Sequence, residues 1–135
     1  MLAKKIRNAA TLAATGNENS MTAALLEPLN EFVPVGIKLV FDKTRSDHGD
    51  RPDISIESKG ASVGFIEVKR PETLLDAFKV TDGGKSQIEK YHHNDLPVLL
   101  TDGLRWYDVS DENVWNPRTA PKLLGYPFVD FSIDY

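Results

Sequence analysis

The sequence predicts an α/β fold, a central mixed β-sheet flanked by helices. Three observations predict it. The first quarter of the chain reads as helical, short runs with strand patterning follow in close succession, and a further helical run separates them from a last strand pair. At 135 residues the chain is expected to form a single domain, residues 1–135. The expected order is helix, helix, three strands, helix, two strands.

Residues 1–15 are rich in Ala, Leu and Lys, and Gly16-Asn17 breaks that run. Asn19 or Ser20 is the expected N-cap of a second helix over residues 21–32, and Pro28 within it predicts a kink or a break. Ile37-Lys38-Leu39-Val40-Phe41 reads as a strand, and residues 44–50 as a polar loop. Asp53-Ile54-Ser55-Ile56-Glu57 alternates polar and apolar, as a half-buried strand does. Ser58-Lys59-Gly60-Ala61 is a turn and residues 62–69 a third strand, so residues 53–69 form a hairpin. Pro71 ends that strand. A short helix is expected over residues 74–80, a loop over 81–84 and a helix over 85–93. Residues 97–101 and 104–109 read as strands joined by an Asp102-Gly103 turn. Beyond Trp115 the mixture of Pro, Gly and aromatic residues supports no assignment.

Composition narrows the chemistry. There is no cysteine, which excludes disulfides, thiolate nucleophiles and cysteine-based zinc sites. No apolar run approaches the roughly 20 residues that span a bilayer. The basic start is a poor signal peptide because Asn8 interrupts it. The expectation is a cytoplasmic protein with no membrane partner. A net charge of −4 argues against a nonspecific nucleic-acid coat but leaves room for a nuclease, whose metal site concentrates acidic residues.

Asp53 stands at the mouth of one predicted strand and Glu67 near the end of its neighbour. Residues i and i+2 of a strand share a face, so Glu67 and Lys69 point the same way. Two carboxylates suffice for a hard cation that keeps its own waters, and the Val68 carbonyl is a natural further ligand. Lysine beside such a cation can lower the pKa of an attacking water and offset charge on phosphate oxygens. An E-x-K tripeptide alone is common on solvated strand faces; the preceding Pro52-Asp53 makes the set more specific. Gln87 and Tyr91 are i and i+4 on one helix face, where an amide and a phenol can bind phosphate or orient a metal-bound water.

Pro52-Asp53, Glu67-Val68-Lys69 and Gln87…Tyr91 together resemble the PD-(D/E)xK nuclease superfamily, and more closely its Q-x-x-x-Y branch. Residues 16–20 and 25–29 upstream, and 99–107 downstream, resemble the N-terminal nuclease domain of single-polypeptide restriction-modification enzymes, so the similarity runs over residues 18–107. The resemblance implies a restriction-endonuclease-like core and a magnesium-dependent DNA endonuclease, with manganese able to substitute, acting in restriction or anti-phage defence. It implies that an acidic residue on the first core helix completes the metal site; Glu18 matches, with Glu27 and Glu31 as substitutes, although a first-turn glutamate also suits the helix dipole. It further implies helicase and methyltransferase parts, as domains or separate subunits. The chain carries neither a complete Walker-type phosphate loop nor a methyltransferase-like glycine motif. It is therefore either the N-terminal part of a longer protein or a small nuclease with separate partners. Cutting both strands of a duplex needs two sites, so a functional dimer is a further expectation.

Secondary candidates are fewer. Arg45, Arg51, Lys59, Arg70 and Lys85 lie near the proposed site in sequence and could contact phosphates. His92-His93, beside Tyr91, could touch DNA or a metal, but with only His48 elsewhere they are read as the end of a solvated helix. Of Trp106 and Tyr107, which alternate on a strand, one is expected in the core. Two rival functions use the same fold: a nucleic-acid-binding module with little cleavage, which has no need of magnesium, and an interaction domain of a restriction complex, which predicts that Asp53→Ala leaves biological activity intact.

Overall fold

The protein is described here as a computed structural model, which covers residues 2–13, 18–41, 53–80, 83–91, 96–111, 118, 120–123 and 125–132. The expected Gly16-Asn17 break, the loop at residues 44–50, and Arg45, His48, Arg51, Pro52, Asp82, His92 and His93 lie outside the described residues. Among the described residues no helix is long and apolar enough to cross a membrane.

Two helices come first, α1 (Leu2–Ala13) and α2 (Glu18–Phe32), and they pack on each other. Ile6 and Ala9 of α1 are buried one helical turn apart, as are Thr22 and Leu25 of α2. The second helix begins earlier than expected, so Asn19 and Ser20 lie within it instead of capping it. It also runs through Pro28 without a break. Packing on both α1 and the sheet compensates for the one backbone hydrogen bond that proline removes.

Among the described residues six strands follow in one sheet: β1 (Ile37–Phe41), β2 (Ile54–Ser58), β3 (Ala61–Val68), β4 (Val98–Thr101), β5 (Arg105–Asp108) and β6 (Val129–Asp130). Their spatial order is their chain order, and every pair is antiparallel except β3 with β4, which is parallel. A parallel pair needs a crossover. Here it consists of a 3-10 helix (Pro71–Phe78) and α3 (Gln87–Tyr91). The 3-10 helix starts at Pro71, where a fixed φ suits the first helical position, and it ends at Phe78; the helix expected over residues 74–80 is thus displaced. A capping box sets the start of α3. The Ser86 hydroxyl accepts from Glu89 N at 3.3 Å while the Glu89 carboxylate accepts from Ser86 N at 3.4 Å. Lys85 therefore lies before the helix, contrary to expectation. A short helix α4 (Ala120–Leu123) and strand β6 occupy the stretch that carried no assignment.

The sheet is covered on both faces. Ile54, Ile66, Val68 and Trp106 pack with Ile6 and Leu25 on the α1–α2 side. Val98, Leu100, Tyr107 and Val109 pack with Phe78, Ile88, Tyr91 and Ala120 on the other. Trp106 and Tyr107 are therefore both core residues, one on each face, and neither is presented for base stacking. The outer edge of β1 is closed by Asn30 of α2, whose amide donates to Leu39 O at 3.1 Å and accepts from Leu39 N at 2.9 Å.

Candidate active site

The hairpin of β2 and β3 positions the two carboxylates. Its turn passes through Lys59 (φ 53°) and Gly60 (φ 79°), with Ser58 opposite Ala61. Two successive residues at positive φ are what a two-residue type I′ hairpin requires. If that register ran on unchanged, Asp53 would oppose Ile66, an apolar residue of the opposite face. It does not run on. An irregularity between Ile56 and Glu57 leaves Val63 without an opposite number, so Ile56 faces Gly64 and Ile54 faces Ile66. Continued one step past that last pair, the register sets Asp53 against Glu67, and the bond from Val68 N to Asp53 Oδ2 holds Asp53 at this end of β3. The bulge is the device that brings the two acids together. Gly64 accommodates it, since a Cβ there would lie 3.1 Å from Ile56 Cδ1 and 3.3 Å from Pro97 O.

Both acids are buried, Asp53 1% exposed and Glu67 0%. Asp53 Oδ2 accepts a hydrogen bond from Val68 N at 2.8 Å. Glu67 lies on the same face as Phe65, the face covered by the 3-10 helix and α3. Glu67 pairs with Leu100 of β4 in the parallel ladder, and Leu100 and Tyr91 belong to one core cluster against which Phe65 of β3 packs, so α3 covers the sheet face that Glu67 shares with Phe65. Gln87, at the first position of α3, is half-buried and Tyr91 fully buried. Lys69 follows β3 and continues its ladder through Lys69 N to Thr101 O at 3.0 Å. The carboxyl ends of parallel β3 and β4 thus lie side by side at the acidic end of the hairpin, the general location of ligand sites in α/β sheets.

Beyond Lys69 the surface is ion-paired. Arg70 Nε lies 2.8 Å from Glu72, and Lys79 lies 2.8 Å from Asp76. Hydrogen bonding from Lys79 holds the Asp76 carboxyl below its usual range, and the charges of Lys79 and Lys69 lower it further. At the β4–β5 turn, Asp102 Oδ1 accepts from Leu104 N and Arg105 N at 3.0 and 2.7 Å, and Gly103 sits at φ 97°. That confirms Asp102-Gly103 as a turn.

The donor set suits a hard cation: two adjacent buried carboxylates and a backbone carbonyl, all oxygen. Buried carboxylates side by side are costly, and a divalent cation offsets that cost. Among the described residues no group of three or more His, Asp or Glu side chains converges. Glu18 is the first residue of α2, but its side chain lies outside the described ones. Glu27 and Glu31 do not substitute for it. Both are exposed in the groove between α1 and α2, across the sheet from the Glu67 face, and Glu31 is ion-paired with Lys5. Lys59 is likewise remote, at the hairpin tip about 20 Å from Asp53 along the strand. Sequence reasoning missed the bulge and the Asp53–Val68 bond. A glycine inside a predicted strand, Gly64, was the available signal for the first.

No family model matches the chain, and no curated protein matches it. Among solved structures, a DrdV–DNA complex determined by cryo-electron microscopy is similar in fold, with a TM-score of 0.52 and 17% identity, over 94% of this chain and 14% of that one. This chain therefore spans about a seventh of that protein's length. The likeness is one of architecture: the mixed α/β sheet flanked by helices, the restriction-endonuclease-like core expected from the sequence.

Proposed function

We propose that this domain is a magnesium-dependent DNA endonuclease of the PD-(D/E)xK type, Q-x-x-x-Y branch. The observation that carries the reading is the bulged hairpin end, where Asp53 and Glu67 are buried opposite one another with Lys69 two residues on. A protein of similar fold is known in complex with DNA, which supports DNA as the substrate.

Asp53, Glu67 and the Val68 carbonyl would hold the ion, and Glu18 would add a carboxylate from α2. When bound, magnesium (or manganese) would polarise the scissile phosphate and lower the pKa of a water. Lys69 orients that water and offsets negative charge on the phosphate oxygens. Gln87 steadies the phosphate from the first turn of α3, and Tyr91 holds α3 against the strand of Glu67. A role in restriction or anti-phage defence, a cytoplasmic setting, helicase and methyltransferase partners and a functional dimer belong to the same proposal.

The test is cleavage of plasmid DNA by the purified protein with magnesium or manganese, beside Asp53→Ala and Lys69→Ala. Metal-dependent nicking is expected for the wild type, with at least about a hundredfold loss in each variant. Nicking that survives both substitutions would place the chemistry elsewhere. Metal-independent DNA binding without cleavage would favour the recognition-module reading.

A further inference from the structure

Two buried side chains pin the β4–β5 turn. The Thr101 hydroxyl, fully out of water, donates to Arg105 O at 2.8 Å and accepts from Gly103 N at 3.0 Å. The Asp102 carboxylate accepts from Leu104 N and Arg105 N. Groups that have lost water at a buried turn depend on such partners, and losing one is costly. The main chain of this pinned turn also holds the end of β3. The amides of Phe65 and Lys69 donate to Pro97 O and Thr101 O, at 2.9 and 3.0 Å, so odd-numbered amides in this part of β3 point toward β4. The next in that series would be residue 71, a proline with no N–H to give. Lys69 is therefore the last rung of the parallel ladder. Past it Arg70 is extended, and Pro71 opens the 3-10 helix.

We infer that Thr101 is a positioning residue for Lys69: its hydroxyl locks the β4–β5 turn, and the Thr101 carbonyl then fixes the main chain of Lys69 and the direction in which the lysine leaves the sheet. The inference rests on the nuclease reading proposed above, in which Lys69 orients the attacking water. The Thr101 side chain does not reach the substrate. Leu99, two residues earlier on β4, packs with the α1–α2 core, so Thr101 lies on that face, whereas Glu67 and Lys69 share the other. Its influence passes through the backbone, from the opposite side of the sheet. A misplacement of about 1 Å at a reacting group can cost about a hundredfold in rate. Lysine has a long stem, so a fixed point of departure is what limits where its ammonium arrives. Threonine suits this task because branching at Cβ restricts χ1, which keeps the hydroxyl between Arg105 O and Gly103 N. Valine has the same shape without the hydroxyl, and serine keeps the hydroxyl without the branch.

Plasmid nicking with magnesium, joined to amide hydrogen exchange without DNA, tests this on Thr101→Val, Thr101→Ser and Ser110→Ala in the full chain. Ser110 is the control: its hydroxyl accepts from Val98 N at 2.9 Å and holds the opposite end of β4. In Thr101→Val the Lys69 amide is expected to exchange at least about tenfold faster relative to the Phe65 amide than it does in wild type. Turnover at saturating DNA is expected to fall at least about tenfold, with KM within about twofold of wild type. Thr101→Ser is expected to restore both readings. Ser110→Ala loosens the same strand pair and is expected to nick at the wild-type rate. Thr101→Val that nicks like wild type, or that leaves the Lys69 amide as protected as before, would overturn the inference while leaving the nuclease reading intact. Equal loss of nicking in Thr101→Val and Ser110→Ala would also overturn it, since that loss would belong to the fold. Wild type that nicks no DNA would remove the nuclease reading and the positioning role with it, an outcome distinct from active wild type beside an equally active Thr101→Val.

Discussion

At its tip the β2–β3 hairpin turns through Lys59 and Gly60, both at positive φ and exposed to water. At its open end the same two strands hold Asp53 and Glu67 out of water, opposite each other. The two ends are one residue out of register, and the bulge at Val63 absorbs the difference. Local backbone chemistry alone specifies the tip. Tertiary packing specifies the open end: Ile54 and Ile66 must both face the α1–α2 core, and that requirement pulls Asp53 opposite Glu67. A polar pair that is unfavourable by itself is thus held in place by the apolar pair beside it. The tip favours stability and tolerates change; the open end trades stability for chemistry.

The largest expected effect separates these two currents in one variant. Glu67→Gln keeps the shape of a buried side chain and removes one of the two carboxylates proposed to hold the cation. Cleavage is expected to fall at least about a hundredfold, while the cation-free protein is expected to keep its stability to within about 1 kcal/mol. Urea unfolding without metal, set beside the plasmid assay, reads both. A variant that loses cleavage and also unfolds much more easily would mean that Glu67 is held as a structural residue, and the contrast between the ends would fail.

A middle-sized effect is expected at the tip. Lys59 occupies the left-handed region, which costs an ordinary residue about 1 to 2 kcal/mol, and Asn followed by Gly is the favoured pair for this turn. Lys59→Asn is expected to stabilise the domain by about 0.5 to 1 kcal/mol. It also removes a cation from a point about 20 Å from Asp53. If the DNA path is confined to the open end, the salt dependence of DNA binding stays the same. A slope shallower by about one would show that a phosphate reaches the tip.

The same contrast explains what was legible in the sequence. The tip was readable because Ser58-Lys59-Gly60-Ala61 carries its own turn chemistry. Asp53, Glu67 and Lys69 were readable as chemistry, through residue types and spacing. Their face-to-face placement was not, because a bulge is settled by which side chains two separate cores accept, and only Gly64 hinted at it. Trp106 and Tyr107 misled for a related reason. Alternation along a strand implies one wet face, but this sheet is covered on both. Ser86 and Glu89 have the spacing of a capping box, a signal present in the sequence that places the helix start at Gln87 and so fixes the turn that carries Gln87 and Tyr91.

The smallest expected effect lies on the outer surface of the open end, where Asp76 meets Lys79 at 2.8 Å. The hydrogen bond from Lys79 is the main reason the Asp76 pKa is depressed, with smaller attractions from the charges of Lys79 and Lys69. A carboxyl whose folded pKa lies below its unfolded value contributes stability above the unfolded pKa, near 3.8, and loses that contribution as pH falls through the folded pKa. Asp76→Asn is therefore expected to lower stability slightly at neutral pH, and the difference from wild type should vanish in acid below the folded pKa. Because the pair is exposed, the difference should also shrink as salt rises. Lys69 gives this surface test a bearing on the site. If the Lys69 charge is felt at Asp76, then Asp76→Asn should still remove an acid-dependent contribution in a Lys79→Ala background, and Lys69→Ala should abolish that remainder. A remainder unaffected by Lys69→Ala would mean that the Lys69 ammonium is turned away from the 3-10 helix, and that Asp76 reports only on its neighbour in the same helical turn.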